Sequence, residues 1–379
     1  MRHTDRLLLT TLALVFVSCG GPIEPATTST ATTDGPAPSS TTASLATAQT
    51  SITTQSSTST NTEPETTTTT SVERGTIDSP SSIPGELTIM FVAVRQGDAA
   101  LYQGPCGEVG LIDANRFRSI EVLTAMDSLG GRDLAWVSPS HYDADHLGAI
   151  VDVVTAPGVT VGAAYDRGGD RNAKDTDTYR DYYDWVTTAG IRQPVDIGDT
   201  FTLCEGSQQV TFTVLSAGTD GTAIRWPSSP NGLVVTEEND RGLCLKVDYQ
   251  DFDLVTCGDI NGTNDGSRTD LETPVGVVVG DVEVVKVNHH GSDYSSNQTY
   301  VAALSAEAAV ISVGKNSFGH PAASVVALWE TIGDVYITQS SADNALINGT
   351  ITIVTDGISG FTVTTETSGT AIEYPLDDE

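Results

Sequence analysis

Between Glu86 and Val94 apolar and polar side chains alternate, and the run ends in Phe91-Val92-Ala93-Val94. A period of two predicts a β-strand. Two further short strands, Ala99 to Gln103 and Glu108 to Ile112, flank the turn Gly104-Pro105-Cys106-Gly107. Ser119 to Leu129 has helical spacing and stops at Gly130-Gly131. Leu134 to Ser138 predicts a strand and Leu147 to Val154 a helix. Residues 156–240 show neither period clearly; this Asp-rich stretch, with Tyr165, Tyr179, Tyr182, Tyr183 and Trp185, reads as an acidic insert serving as a substrate lid or as packing. Leu243 to Tyr249 and Phe252 to Cys257 form a hairpin around Gln250-Asp251. Strands at Val282 to Val287, Ala309 to Val313 and Val335 to Thr338 then alternate with helices at Gln298 to Ala306 and Ala323 to Thr331. Ile351 to Val354 and Phe361 to Thr364 close the pattern. A hairpin block followed by two sets of α/β units predicts an α/β fold of two packed sheets with outer helices.

The hairpin fixes a register. If Tyr249 faces Phe252, Cys244 faces Cys257, which makes them candidates for a cross-strand disulfide and leaves Cys106 and Cys204 as the second pair. An even cysteine count in an exported domain favours bridges over four buried thiols.

Export is expected from the first residues. Arg2 and Arg6 precede the short apolar stretch Leu7 to Val17, and Ser18, Cys19 and Gly20 follow. This is the layout of a signal peptide, residues 1–18. Val17-Ser18-Cys19-Gly20 resembles a bacterial lipobox, with Phe16 where Leu is usual, so Cys19 is the expected lipidation site. The expected location is a lipoprotein anchored on the extracytoplasmic side; the alternative is a secreted protein. Of residues 26–82, 32 are Ser or Thr. Such a segment buries too little surface to offset its ordering entropy, so 19–82 reads as a tether, roughly 45 Å in mean span. The domain is expected at 83–379. No apolar run reaches the roughly 18 to 20 residues of a membrane-spanning helix, so the expected membrane contact is the lipid anchor.

The chain carries 18 Lys and Arg against 50 Asp and Glu, a net charge of −32. Residues 83–379 hold 15 of the basic and 43 of the acidic residues. So acidic a domain cannot grip nucleic acid through a broad basic face. Arg95, Arg116, Arg118, Lys286 and Lys315 lie near the motifs below and could form a local patch.

Five of the six histidines, His141, His146, His289, His290 and His320, sit beside Gly, Asp or Ser just after predicted strands or at helix starts, where α/β proteins build sites. Ser140-His141-Tyr142-Asp143-Ala144-Asp145-His146-Leu147-Gly148 brings two imidazoles and two carboxylates within six residues, donors suited to zinc, manganese or magnesium. Gly258-Asp259 follows a strand. His289-His290-Gly291-Ser292 follows another, with Ser295 and Ser296 just before a helix. Hydroxyls there serve a phosphate or simply cap the helix.

Together with Arg95-Gln96-Gly97-Asp98, Leu111-Ile112-Asp113, Phe318-Gly319-His320-Pro321 and the closing Asp356-Gly357, these motifs resemble, in order and spacing over about 87–366, the metallo-β-lactamase fold. The nearest resemblance is to the nuclease-like C-terminal domain of ComEC-type competence proteins, here without the membrane channel. The resemblance implies an αββα sandwich, two mixed β-sheets flanked by helices, with two divalent metal ions, zinc or manganese and also magnesium, at the edge between the sheets. It implies His141, Asp143, Asp145, His146 and Asp259 as ligands, with His289 or His290 completing the set. It gives Asp145 a catalytic role as ligand or base and His320 one as proton donor or phosphate ligand. Lys286, Ser292 and Ser295 would hold substrate, and Asp113 would support the ligands from behind. The chain departs from the commonest motif of the fold by placing Asp143 where His is usual, and it has no His between 147 and 288. That makes the site oxygen-rich.

The expected activity is an extracytoplasmic metal-dependent phosphodiesterase or nuclease acting on DNA. The competing readings are hydrolysis of a smaller cell-envelope phosphodiester or lactone, which the acidity favours, and a non-catalytic binding module. No protein partner can be deduced.

Overall fold

The computed structural model describes residues 85–218, 223–226 and 229–376. The signal peptide, Cys19 and the tether lie outside the described residues.

One sheet contains β1 (Leu87–Phe91), β2 (Ala100–Gln103), β3 (Val109–Ile112), β4 (Asp133–Ser138), β5 (Thr160–Asp166) and β6 (Arg192–Pro194). The other contains β7 (Thr200–Leu203) and β8 (Val210–Ser216), and β9 (Ala223–Trp226) pairs with β10 (Ser229–Val234) apart from both. The second sheet continues with β11 (Cys244–Tyr249), β12 (Phe252–Thr256), β13 (Val284–Lys286), β14 (Ala308–Ile311) and β15 (Asp334–Ile337). The chain then returns to the first sheet as β16 (Ile351–Thr355), β17 (Phe361–Thr365) and β18 (Ala371–Tyr374). The strand orders are β18-β17-β16-β1-β2-β3-β4-β5-β6 and β15-β14-β13-β12-β11-β8-β7. Both sheets are mixed: β3 to β6 and β12 to β15 run parallel, and the rest of each is antiparallel. The helices are α1 (Ser119–Ser128), α2 (Ala144–Leu147), α3 (Ile150–Val154), α4 (Asp177–Ala189), α5 (Glu272–Val279), α6 (Gln298–Leu304) and α7 (Ala323–Trp329).

Alternation along the strands builds three apolar layers. Tyr102, Leu254, Val284 and Val310 point between the sheets. Their neighbours point outward: Leu101 meets α1, α3 and α4, and Val255, Val285 and Ile311 meet α5, α6 and α7. The result is the expected αββα sandwich. Trp136 of β4 locks the middle layer, with Phe212 at 4.8 Å and Phe201 at 5.0 Å edge-on, and its indole N–H donates across to Thr202 O of β7 at 3.1 Å.

Residues 156–240 correct the sequence reading. Much of the stretch belongs to the sandwich: β5, α4 and β6 complete one end of the first sheet, and β7 and β8 one end of the second, while β9 and β10 pair apart from both. β7 and β8 do alternate Thr with apolar residues, a short period of two that the Asp-rich segments around them obscured. Tyr179, Tyr182 and Val186 are the buried stripe of α4, and the Tyr179 ring packs at a tilt against Tyr142, centres 4.3 Å apart. The aromatic residues pack; they form no lid. The predicted helix Leu147 to Val154 is divided into α2 and α3, and β18 was not foreseen because its side chains are largely exposed.

The hairpin has the expected register, Tyr249 facing Phe252 and Leu245 facing Thr256, and Cys244 is bonded to Cys257. Cys106 is bonded to Cys204 with Cα atoms 5.7 Å apart, stapling the β2–β3 turn of one sheet to the end of β7 in the other. Closing a loop of 98 residues contributes about 4 to 5 kcal/mol on a chain-entropy estimate.

What positions the site is direction. β3 and β4 run parallel in one sheet, β12, β13 and β14 in the other, and the segments leaving their carboxyl ends meet at one edge of the sandwich.

Candidate metal centre

Three imidazoles at that edge are fixed from behind. Asp113, just past β3, accepts from Ser140 N at 2.6 Å, Ser140 Oγ at 2.7 Å and His146 Nδ1 at 2.8 Å. Because the Ser140 hydroxyl donates to Asp113, its lone pair faces His141 Nδ1 at 3.1 Å. His290 Nδ1 donates to Ser312 O at 2.9 Å. Each ring therefore spends Nδ1 on an acceptor and turns Nε2 inward, the orientation expected of a metal-binding histidine.

The inward atoms converge. His146 Nε2 lies 3.2 Å from Asp259 Oδ1, and His290 Nε2 lies 3.4 Å from Asp259 Oδ2 and 3.5 Å from Asp145 Oδ2. His141 Nε2 is 3.6 Å from Asp143 Oδ2, and the His141 and His146 rings are 4.1 Å apart. The three Nε2 atoms and Asp259 Oδ1 are buried and lack a partner in hydrogen-bond geometry. Buried polar atoms left in that state are costly, and divalent cations held among them would satisfy them. The residues present fit a metal centre.

The electrostatics agree. Burial pushes the His146 ring down, yet Asp259 and Asp113 hold it well above the usual range. Burial also opposes a charge on His290, yet Asp259 and Asp98 lift it to about 10. Burial raises Asp259, and His146, His290 and His289 outweigh it and keep its carboxyl well below the usual range. The carboxylates thus draw positive charge into the cluster, and a metal ion would take the place of those protons.

Of the two consecutive histidines, the structure brings His290 into the centre. Both have left-handed backbone, φ 52° and 54°, so the second ring swings inward, while His289 Nε2 stays 3.9 Å from Asp259 and 3.3 Å from Asn239 Nδ2. His320 lies in the cleft, its ring 5.2 Å from His289. Burial and the neighbouring His289 and His290 pull it down to about 4, so at neutral pH it offers an uncharged ring. Asp143 shares its other oxygen with Lys174, a residue the motifs did not point to.

Three expectations are corrected. Lys286 is buried, paired with Asp98, and donates to Gly258 O at 3.2 Å; its ammonium is not open to substrate. Ser295 Oγ is buried and donates to Ile260 O at 3.0 Å. Ser292 Oγ is buried and accepts from Tyr294 N at 3.3 Å. Both hydroxyls shape the loop and do not face the cleft.

Two supporting carboxylates were missed. Asp98 sits 3.5 Å from both His146 Nδ1 and His290 Nδ1, behind the rings. Its atoms group with His146, Asp259 and His290 within 4.8 Å, but its approach from the Nδ1 side makes it a support for the rings. The signal was present in Gly97-Asp98: Gly97 has φ 138°, and a Cβ there would lie 2.4 Å from Asp145 O. Glu272 had no signal. Buried in α5, it accepts from Asn288 Nδ2 at 2.8 Å, Ser296 N at 2.7 Å and Asn297 N at 2.8 Å, clamping both ends of the loop that carries His289 and His290.

Burial outweighs these three donors and raises Glu272 to about 7 from 4.5. A raised carboxyl favours the folded state below the unfolded pKa, and that contribution is lost as pH rises through the folded one. Glu272→Gln should therefore cost stability at pH 4.5, and its deficit against the wild type should shrink by up to about 3 kcal/mol by pH 8. Urea melts of both proteins across that range check this; a deficit independent of pH would refute it.

No family model and no curated protein matches the chain. Similar solved structures include the metallo-β-lactamase fold protein YhfI from Bacillus subtilis, at 13% identity over 67% of this chain and 97% of that one, TM-score 0.42. A metallo hydrolase from Ignicoccus hospitalis aligns at 12% identity over 70% of this chain and 98% of that one, TM-score 0.41. CmlA, a diiron β-hydroxylase from Streptomyces venezuelae, aligns at 13% over 67% and 53%, TM-score 0.41. In their own geometry, the two mixed sheets, the outer helices and the edge where the strand ends meet form an αββα sandwich.

Proposed function

We propose that the protein is an extracytoplasmic, lipid-anchored, metal-dependent phosphodiesterase with DNA as its substrate. The observation that carries the reading is the convergence of three unpartnered Nε2 atoms with the carboxylates of Asp145 and Asp259. His141, Asp143, Asp145, His146, Asp259 and His290 would hold the ions. Their nitrogen and oxygen donors, without sulfur, suit zinc or manganese and also magnesium. Such ions polarise a phosphoryl oxygen and supply a nucleophile at neutral pH.

The chain's own residues set the rest. Asp113 and Ser312 O fix the rings, and Asp98 backs two of them. Asp145, whose side chain is 37% exposed, is the carboxylate of the His290 contact that meets incoming water and substrate. His320 forms a wall of the cleft with an uncharged ring beside the scissile group.

The test is cleavage of linear single- and double-stranded DNA by the full chain with Mn²⁺, Mg²⁺ or Zn²⁺, beside Asp145→Ala. Metal-dependent cleavage should fall at least about 100-fold in the variant. Hydrolysis of bis-p-nitrophenyl phosphate without DNA cleavage would replace DNA by a small envelope phosphodiester. Activity on neither would reject the phosphodiesterase reading.

A further inference from the structure

Two grooves border the candidate metal centre, one reaching Asp145 and the other Asp143. One, of about 500 Å³, is lined by Arg95, Arg116, Arg118, Lys315, Asp145 and Phe318. The other, of about 550 Å³, is lined by Asp143, Glu237, Arg268, Asp293, Tyr294 and His320, and Phe318 borders it too. Phe318 thus makes them two arms of one cleft passing the candidate ligands.

The arms have opposite charge. In a domain with 15 basic residues against 43 acidic ones, four of the basic residues line the first arm, and Asp145 is the acid among its lining. Arg95, Arg116 and Lys315 are exposed, and Arg118 shares one nitrogen with Glu121 at 3.0 Å. Two phenylalanines that should be buried stand beside them: Phe117 and Phe318 are each 72% exposed, and the Arg116 guanidinium lies 4.9 Å from the Phe117 ring centre. Cations tracking a backbone with open aromatic faces beside them are how single strands are bound, because every base has a face to stack. In the second arm the one arginine, Arg268, is committed to Asp265, to Glu237 at 3.8 Å and to the Tyr294 ring, while Asp143, Glu237 and Asp293 leave that lining with more acids than cations to meet further phosphates. Its volume suits one small unit.

Resting on the phosphodiesterase reading above, we infer that the cleft takes a single-stranded nucleic acid from an end: its backbone lies along Arg95, Arg116, Arg118 and Lys315, its bases stack on Phe117 and Phe318, and the terminal unit beyond the scissile bond occupies the acidic arm. The overall acidity then excludes duplexes and limits contact to a short stretch. The aromatic faces favour nucleic acid over a polyol-phosphate polymer, which has nothing to stack.

The test uses the full chain and a labelled twelve-nucleotide single strand with a cleavage-resistant phosphorothioate backbone, followed by fluorescence anisotropy. Four backbone contacts predict a slope of log affinity against log salt of about −3. In Arg95→Gln/Arg116→Gln/Lys315→Gln it should fall towards about −1, with binding at least about tenfold weaker. Phe318→Ala, which changes no charge, should weaken binding about tenfold with the slope kept. Linear single strands should shorten from one end while circular ones stay intact. Equal binding by the triple variant, circles cut as fast as linear strands, or a glycerol-phosphate polymer that outcompetes the oligonucleotide would overturn the inference. Wild-type protein that hydrolyses bis-p-nitrophenyl phosphate but ignores the oligonucleotide would overturn it and leave the phosphodiesterase reading standing. Wild-type protein inactive on both would remove both.

Discussion

Asp259→Asn should strip the protein of metal and lower phosphodiester hydrolysis at least about 1000-fold while leaving it folded. Asp259 follows β12 through Gly258, whose φ of 56° lets the chain turn and whose missing Cβ leaves room for Ser140 Oγ. The turn sets the carboxylate against three imidazoles: His146 at 3.2 Å, His290 at 3.4 Å and His289 at 3.9 Å. Asparagine keeps the shape and removes the charge. It also places an amide N–H₂, which cannot ligate, among atoms that must. The fold should survive because the helices and strands around the site do not depend on that charge. Metal content by elemental analysis, turnover and circular dichroism read the three parts separately. A variant retaining a full complement of metal and wild-type turnover would show that Asp259 lies outside the working centre.

Lys286→Met should destabilise the domain by about 3 to 5 kcal/mol. The ammonium is buried against Asp98 and donates to Gly258 O. Burial pushes Asp98 up, but Lys286 and His290 bring it down to about 2, so it stays charged at any working pH. Methionine fills the same space and leaves that carboxylate buried with less compensation, directly behind two candidate metal-binding rings. Adding Asp98→Asn should recover part of the loss, because removing both charges costs less than stranding one. Denaturant melts of the two variants give the comparison. A single variant as stable as the wild type would mean that the ion pair contributes nothing, and an unchanged stability with a raised KM would return Lys286 to the substrate.

Most strands and helices were legible because burial imposes period two on strands and near four on helices. The margins of the sheets were not: Thr200–Leu203 and Val210–Ser216 alternate, but as short runs set in a long Asp-rich stretch they were read as part of it. At the centre, residue type and proximity in sequence singled out His141, Asp143, Asp145 and His146, and the strand-end position Asp259, residues that the structure brings to one edge. Which side a ring faces is set by backbone torsion. Two successive left-handed residues choose His290 over His289, and no spacing rule encodes that. Lys286, Ser292 and Ser295 stand in the right motifs, yet their polar atoms are used by Asp98 and by nearby backbone groups. Asp98 stood in the Gly97-Asp98 motif but its partners His146 and His290 lie tens to hundreds of positions away, and Glu272, which acts on a loop 16 or more residues on, had no local signal at all.

The position of β1 has a consequence for how the protein is made. The first strand of the domain lies in the interior of its sheet, hydrogen-bonded on one side to its neighbour β2 and on the other to β16, which is translated more than 250 residues later. Until β16 arrives, β1 offers an open edge with alternate side chains buried, the form of edge that recruits foreign strands. The nascent chain must keep that edge from pairing wrongly for almost the whole of synthesis. Chains stopped before Ile351 never close it, and they are the species that quality control must remove before they aggregate.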